Sequence, residues 1–246
     1  GELIAPENTA IPIEEGWNII SYLREDNANA ELILEDVSED LVIVKDYLGN
    51  AYLPAWHFNG IGDFEAGQGY QVKASSDVEL QYISNDSEYR MAETNKIENQ
   101  TNLIDFSLNT GANMHLLIPE NSWNTDVQNG DEIYAYDAEG RMVGASKITL
   151  PNTVICLWGD DASTENKEGL YTAEAWNVKL WSAKENKLET IQITHQSENT
   201  YQQNNFIIAQ SVVTSEAVET IQLFDAVPNP ATDQTLIRLY LNEECD

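Results

Sequence analysis

Four carboxylates fall within one short polar stretch of the chain. Asp160, Asp161, Glu165 and Glu168 lie among Ser, Thr, Asn and Gly residues between two apolar runs. Calcium takes about six to eight oxygen ligands, which a loop of this composition supplies, although the spacing differs from that of an EF-hand. We therefore predict calcium at this loop. The alternative is that Asp161 or Ser163 caps a turn and the other carboxylates are solvated.

A second acidic group comprises Asp131, Glu132 and Asp137. The sequence Asp-Ala-Glu-Gly at 137–140 is typical of a short loop between two antiparallel strands, with glycine at its end. We interpret this second group as the rim of a hairpin.

Two tryptophans fall in loops rather than in strand patterns. Trp56 lies in P-A-W-H-F-N, and Trp123 lies in E-N-S-W-N-T. An indole beside polar side chains can stack on a sugar ring, so both tryptophans are candidate glycan-binding residues. The alternative is that such a tryptophan closes the end of the sandwich, and for Trp17, Trp56 and Tyr70 we expect packing in a core or an interface.

Catalytic patterns are weak in this sequence. The histidines, His57, His115 and His195, form no H-E-x-x-H motif, and no G-x-S-x-G motif occurs. With 42 acidic residues, neighbouring carboxylates carry no information about glycoside hydrolysis. The cysteines, Cys156 and Cys245, are too few for a disulfide framework or a zinc site. We predict a non-catalytic chain.

Charge restricts the partners further. The chain carries 12 basic and 42 acidic residues, a formal net charge of −30. Such a surface repels nucleic-acid phosphates and anionic lipid headgroups, so we predict neither as a partner. No run approaches the roughly 20 apolar residues of a spanning helix, so we expect no membrane insertion.

The candidate residues lie in and between short segments in which apolar and polar residues alternate. These segments are separated by turn signals, and together they predict a mainly β fold. Strands are expected at 16–23, 41–46 and 67–74, the last paired with 78–82, and a short helix or strand at 28–40. A second series, at 102–108, 113–118, 132–137, 141–149, 153–158, 176–181 and 188–194, indicates a β-sandwich. We predict a linker over 1–12, a β-rich module over 13–84, a linker over 85–101, a sandwich module over 102–212, a linker over 213–222 and the start of a further domain over 223–246.

Both modules resemble accessory pieces of secreted Bacteroidetes proteins. G-W-N-I-I-S (16–21), V-K-D-Y-L-G-N-A-Y (44–52) and G-Q-G-Y-Q-V (67–72) resemble a small module of that group. G-D-E-I-Y-A-Y-D-A-E-G-R-M-V-G (130–144), followed by W-G-D-D (158–161), resembles a second module. The order of the two pieces matches the usual architecture before a sorting domain.

The stretch D-A-V-P-N-P-A-T-D-Q-T-L-I-R-L-Y-L (225–241) predicts a rigid turn followed by a strand, because Pro228 and Pro230 fix their φ angles. It resembles the opening of the type A C-terminal sorting domain of the type IX secretion system. The resemblance makes Pro228, Asn229 and Pro230 the sorting turn and the secretion machinery a partner. It implies a secreted protein attached to the outer membrane at the cell surface, of which this chain would be a C-terminal part.

We therefore predict a stalk, adhesion or assembly segment of a large surface protein, which could self-associate or bind a glycan or another cell-surface ligand. The alternative prediction is a carbohydrate-binding accessory module of a secreted polysaccharide-degrading enzyme.

Overall fold

The computed structural model describes residues 5–85, 106–214, 222–223 and 239–240. The fold is mainly β, as predicted, and consists of several sandwich-like sheets. Most of the predicted linker 85–101, the sorting turn at Pro228, Asn229 and Pro230, and Cys245 lie outside the described residues. In the part of the chain that the structure describes, no helix is long and apolar enough to span a membrane.

The first unit, residues 5–85, is built on one sheet with the strand order β2-β8-β4-β5-β6. Two further pairs, β1-β9 and β3-β7, and a short helix cover one face of it. The elements are β1 (Ile11–Ile13), β2 (Gly16–Ser21), β3 (Ala28–Asn29), α1 (Ala30–Ile33), β4 (Leu41–Lys45), β5 (Ala51–Leu53), β6 (Phe58–Asn59), β7 (Asp63–Phe64), β8 (Gly69–Ala74) and β9 (Val78–Leu80), with 3-10 turns at Pro6–Asn8, Glu35–Asp40 and Pro54–Trp56.

One expectation for this unit is wrong. Strand β8 does not pair with β9: it lies between β2 and β4, while β9 pairs with β1. The start of β1 also overlaps the last two residues of the predicted linker over 1–12, and Ile13, the residue that ends β1, is buried. Periodicity identified β2, β4, β8 and β9, but it carries no information on which strand is the neighbour.

Aromatic side chains form much of the first unit's core. Tyr70 is buried, as expected, and stacks on Phe64 with a centroid distance of 3.7 Å. Tyr22 contacts Phe64 and Tyr82 edge-on, at 5.6 and 5.3 Å. Helix α1 begins where the side chain of Asn29 accepts a hydrogen bond from the amide of Glu31, which is an ordinary N-cap.

The second unit, residues 106–214, is a sandwich of a three-stranded sheet, β13-β10-β16, and a five-stranded sheet, β12-β11-β14-β15-β17. Its strands are β10 (Asn113–Pro119), β11 (Glu132–Asp137), β12 (Met142–Lys147), β13 (Asn152–Trp158), β14 (Trp176–Ser182), β15 (Lys187–Thr194), β16 (Phe206–Ile208) and β17 (Ser211–Thr214), with a 3-10 turn at Glu120–Ser122. Farther along the chain, β18 (Gln222–Leu223) pairs with β19 (Leu239–Tyr240).

The predicted strand at 102–108 is not found over 106–108, which are irregular, and its earlier residues lie outside the described part. Strands β16 and β17 were not predicted, and β17 enters the segment assigned to a linker over 213–222. Strand β10 is buried along its whole length. Met114, Leu116 and Ile118 point into the sandwich core, so the alternate residues must be covered by something else.

Candidate functional site

The other face of β10 is covered by the first unit of the same chain. An apolar cluster joins the two units and excludes solvent between them. Its buried members are Ile43, Ala51, Leu53 and Phe58 from the first unit and Leu117 and Val154 from the second, with Trp17, Val42, Trp56 and Phe206 packed around them. We call this contact the junction.

The turn between β4 and β5, residues 46–50, inserts into the junction. Its shape is set by Asp46, whose Oδ1 accepts hydrogen bonds from the amides of Leu48 and Asn50. Gly49 has a φ of +82°, and a Cβ at this position would lie 2.8 Å from Sγ of Cys156 and 2.7 Å from the ring of Trp158. Only glycine satisfies both the backbone angle and the close approach.

A buried histidine receives this turn. The Nε2 atom of His115 lies 2.8 Å from the carbonyl oxygen of Gly49. Burial, with a smaller effect of Lys45, lowers the pKa of His115 to about 4. The ring is therefore neutral at pH 7 and donates its Nε2 proton to Gly49, which leaves Nδ1 as an acceptor without a partner.

Lys45 also points into the junction, although it is a charged side chain that is only 2% exposed. Its Nζ donates to Oδ1 of Asn113 at 2.9 Å and to Oδ1 of Asn204 at 2.8 Å. It also lies 4.5 Å from the ring centroid of Trp17. Burial lowers the pKa of Lys45 to about 8. An amine in this environment is closer to its neutral, nucleophilic form than a surface lysine.

The rim of the junction is closed by side-chain amides of the second unit. Asn152 donates to the backbone carbonyl of Trp56 at 2.7 Å, and Asn109 donates to that of Tyr47 at 2.8 Å. Burial raises the pKa of Cys156 beneath the turn, so its thiol stays protonated. The junction therefore combines an apolar centre, two buried polar contacts and a hydrogen-bonded edge.

The acidic loop after β13 is organised by its own backbone. Oδ1 of Asp160 accepts from the amide of Glu168 at 2.6 Å, and Oδ1 of Asp161 accepts from that of Ser163 at 2.8 Å. The hydrogen bonds from Ser163 lower the pKa of Asp161. Glu168 accepts from Thr164, and Glu165 is exposed. Asp161 thus caps a turn, while calcium at this loop stays a prediction.

A lysine within the same loop ties it to the sandwich. Nζ of Lys167 lies 2.9 Å from Oδ2 of Asp137 and 2.6 Å from Oε1 of Glu174. Burial works to raise the pKa of Asp137, but hydrogen bonds from Lys167 and from the amides of Arg141 and Glu139 outweigh it and lower that pKa. Asp137 is therefore a charged anchor at the hairpin rim.

The other acidic residues of that group are also buried acceptors. Asp131 accepts from the amides of Gln128 and Ala183, both at 2.9 Å, and so joins two loops. Glu132 accepts from the hydroxyl of Tyr134. Across residues 5–85 and 106–214, no group of three or more His, Cys, Asp or Glu side chains is arranged to hold a metal ion.

The two candidate glycan-binding tryptophans each pack partly against an apolar cluster. Trp56 contacts the junction cluster, and Trp123 contacts the sandwich core with its Nε1 buried and unpartnered. They belong to different clusters, and glycan stacking stays a prediction for each. Of the remaining histidines, His57 is exposed, whereas His195 stacks on Trp176 and contacts Asn199 at 2.5 Å and Ser197 at 3.0 Å.

Sequence patterns did not single out the residues that build the junction. The available signals were a lysine that ends the apolar run L-V-I-V-K and an Asn and a His that alternate with apolar residues in N-M-H-L-L. Each marks a polar side chain on a strand that is otherwise apolar on both faces. A polar side chain is buried only where another group forms a hydrogen bond with it. The pattern therefore predicts that a contact exists but does not identify the partner residue.

Comparison with known proteins adds nothing to this geometry: no family model matches the chain, and no curated protein or solved structure does. The resemblance to type IX secretion substrates therefore stays a prediction, as does the assignment of the protein to the cell surface.

Proposed function

We propose that this chain is a non-catalytic spacer segment of a secreted cell-surface protein, in which two β units act as one rigid body. The observation that carries the proposal is the junction. Its apolar cluster and the contacts of Lys45 and His115 fasten the first unit to the second across their facing sheets. Independent binding modules on a flexible tether do not need such a contact.

The chemistry of the junction supports a structural role rather than the turnover of an external substrate. His115 and Lys45 are the side chains best suited to acid–base or nucleophilic work, and both are buried with partners in the opposite unit. A substrate would have to separate the units to reach them. Rigidity at this position would keep whatever is attached upstream at a fixed distance from the surface.

Export and anchoring rest on the resemblance of 225–246 to a type A sorting domain. The proposal therefore includes the type IX machinery as a partner and the outer face of the outer membrane as the location. The strongly acidic surface is consistent with a protein that stays soluble outside the cell.

The test uses the source bacterium. Antibodies raised against this chain should label intact cells, and added protease should remove the signal without lysis. In a strain that lacks the type IX machinery, the protein should accumulate in the periplasm. Detection only in the cytosolic fraction would contradict the location, and turnover of any substrate in a glycan and peptide panel would contradict the non-catalytic role.

A further inference from the structure

The surroundings of Lys45 bring an amine and two carboxamides together in a dry space. The Nζ atom lies 2.9 Å from Oδ1 of Asn113 and 2.8 Å from Oδ1 of Asn204, so each carbonyl carbon is only one bond farther away. The ring of Trp17 covers the amine, and Ile43 and Phe206 belong to the cluster around it. A nucleophile and an electrophile are held in contact here, without bulk water to compete.

The two asparagines differ in their setting. Asn113 is 6% exposed and belongs to the central strand β10, whereas Asn204 lies in a turn with a φ of +62° and is only partly buried. Asn113 also shares its face of β10 with His115, two residues along the strand. The strand therefore offers an amide and a base side by side to the amine from the first unit.

We propose that Lys45 and Asn113 form an intramolecular isopeptide bond that joins the two β units covalently. The neutral amine of Lys45 attacks Cγ of Asn113 through its nitrogen lone pair. The new C–N bond forms, the bond from Cγ to Nδ2 breaks, and the side-chain nitrogen leaves as ammonia. One proton passes from Nζ to the leaving nitrogen, so no oxidant, reductant or cofactor is needed.

His115 is the base that this face of β10 provides for the proton transfer. Its ring is buried and neutral, and Nδ1 has a lone pair without a hydrogen-bond partner. The hydrogen bond from Nε2 to Gly49 fixes the tautomer that leaves Nδ1 unprotonated. The lowered pKa of Lys45 provides the neutral amine in useful amounts near pH 8.

Such a bond would connect β4 to β10 across 68 residues of sequence. Tension applied to the chain would then pass through the cross-link instead of pulling the two sheets apart. The inference concerns the junction alone, and it holds or fails whatever the location of the protein in the cell.

The decisive experiment is the intact mass of the purified chain after incubation at a pH of about 8. The expected mass is that of the sequence less one ammonia. Trypsin should not cleave after Lys45, and a branched peptide should join residue 45 to residue 113. The unmodified sequence mass, with free peptides from both strands, overturns the proposal.

Variants locate the bond. Lys45→Arg keeps the positive charge and the hydrogen-bond donors but cannot form the amide, so its mass should match its sequence. Asn113→Ala should also show its sequence mass, whereas Asn204→Ala, the matched control, should still lose ammonia. Loss of ammonia that persists in Lys45→Arg, or that depends on Asn204 alone, contradicts the assignment. His115→Phe should form the bond more slowly than the parent chain at equal folded content by circular dichroism.

Discussion

His115 and Gly49 meet across the junction, with Nε2 of the imidazole 2.8 Å from the glycine carbonyl oxygen. The histidine comes from the central strand of the sandwich, and the glycine comes from the tip of a turn in the other unit. This hydrogen bond is one of the contacts that hold the turn in the junction, together with the hydrogen bond from Asn109 to Tyr47. The imidazole that makes this bond is only 1% exposed, and burial favours its neutral form.

Gly49→Ala should destabilise the chain by about 3 kcal/mol or more, because the new Cβ would add an overpacking clash to a strained backbone angle. The methyl group would meet Cys156 and Trp158 at 2.8 and 2.7 Å. Gly67→Ala is the matched control, since Gly67 has a φ of +80° but a Cβ added there would meet no atom within 4 Å. We expect it to cost about 1 kcal/mol, from the backbone angle alone. If urea denaturation shows equal losses in the free energy of unfolding for Gly49→Ala and Gly67→Ala, the close packing of the turn is contradicted.

Acid should weaken the protein through His115. Its pKa is about 4 when folded and 6.5 ordinarily, so between these values the unfolded chain binds a proton that the folded chain does not. The free energy of unfolding therefore falls as the pH drops through this window, by about 2 kcal/mol between pH 7 and pH 5 from this residue. Denaturation of the parent chain and of His115→Gln at both pH values measures the contribution.

The control for this prediction is His57→Asn, at an exposed position with a φ of +48° that asparagine tolerates. It should keep the full pH dependence of the parent chain. If His115→Gln loses as much stability on acidification as the parent does, the histidine is not buried as a neutral group.

The sequence predicted the longer strands of both units, such as β2, β4 and β8 in the first and β10 to β15 in the second, because local alternation reports burial on one or both faces. It did not predict that β8 lies between β2 and β4, or that β9 pairs with β1, since pairing depends on contacts between residues far apart in the chain. Strands β16 and β17 were missed because F-I-I and S-V-V-T are too short to show a period.

Lys167→Met should destabilise the acidic loop, because it removes the nearest cation of the buried Asp137 carboxylate and leaves the more distant guanidinium of Arg141 at 3.9 Å. We expect a loss of about 2 kcal/mol, between the values for exposed and fully buried pairs, and faster proteolysis within 160–175. Lys187→Met removes the exposed pair with Glu189 and should cost less than about 1 kcal/mol. Indistinguishable losses in the two variants would show that Lys167 does not anchor the loop.

Calcium at the same loop has a direct test in the melting temperature measured with calcium and with chelator. The calcium prediction requires a higher melting temperature in calcium, and Asp161→Asn should abolish the difference. Asp126→Asn, at an exposed acidic position outside this loop, should leave it unchanged. If the melting temperature of the parent chain is the same in calcium and in chelator, the calcium prediction is wrong.

The site shows the limit of sequence reasoning more clearly than the fold does. Asp161 was correctly assigned as an alternative turn cap, because an Asx turn is encoded within a few residues. The partnership of Lys45 with Asn113 and Asn204 was not foreseeable, since it spans separate units. The loop tryptophans were predicted to bind glycans because an aromatic residue in a polar stretch is a clear sequence signal. Gly49 gives no such signal, since its role depends on its close approach to Cys156 and Trp158 in the other unit.

The central claim is that the two β units behave as one body, and differential scanning calorimetry of the intact chain tests it. We expect one transition for the two units, residues 5–85 and 106–214, with equal calorimetric and van't Hoff enthalpies. Ile43→Asp, which puts a charge into the junction at a residue 1% exposed, should split it into two transitions, whereas Ile19→Asp, at an isoleucine 81% exposed, should not. Two separate transitions in the parent chain would contradict the rigid junction and the function proposed from it.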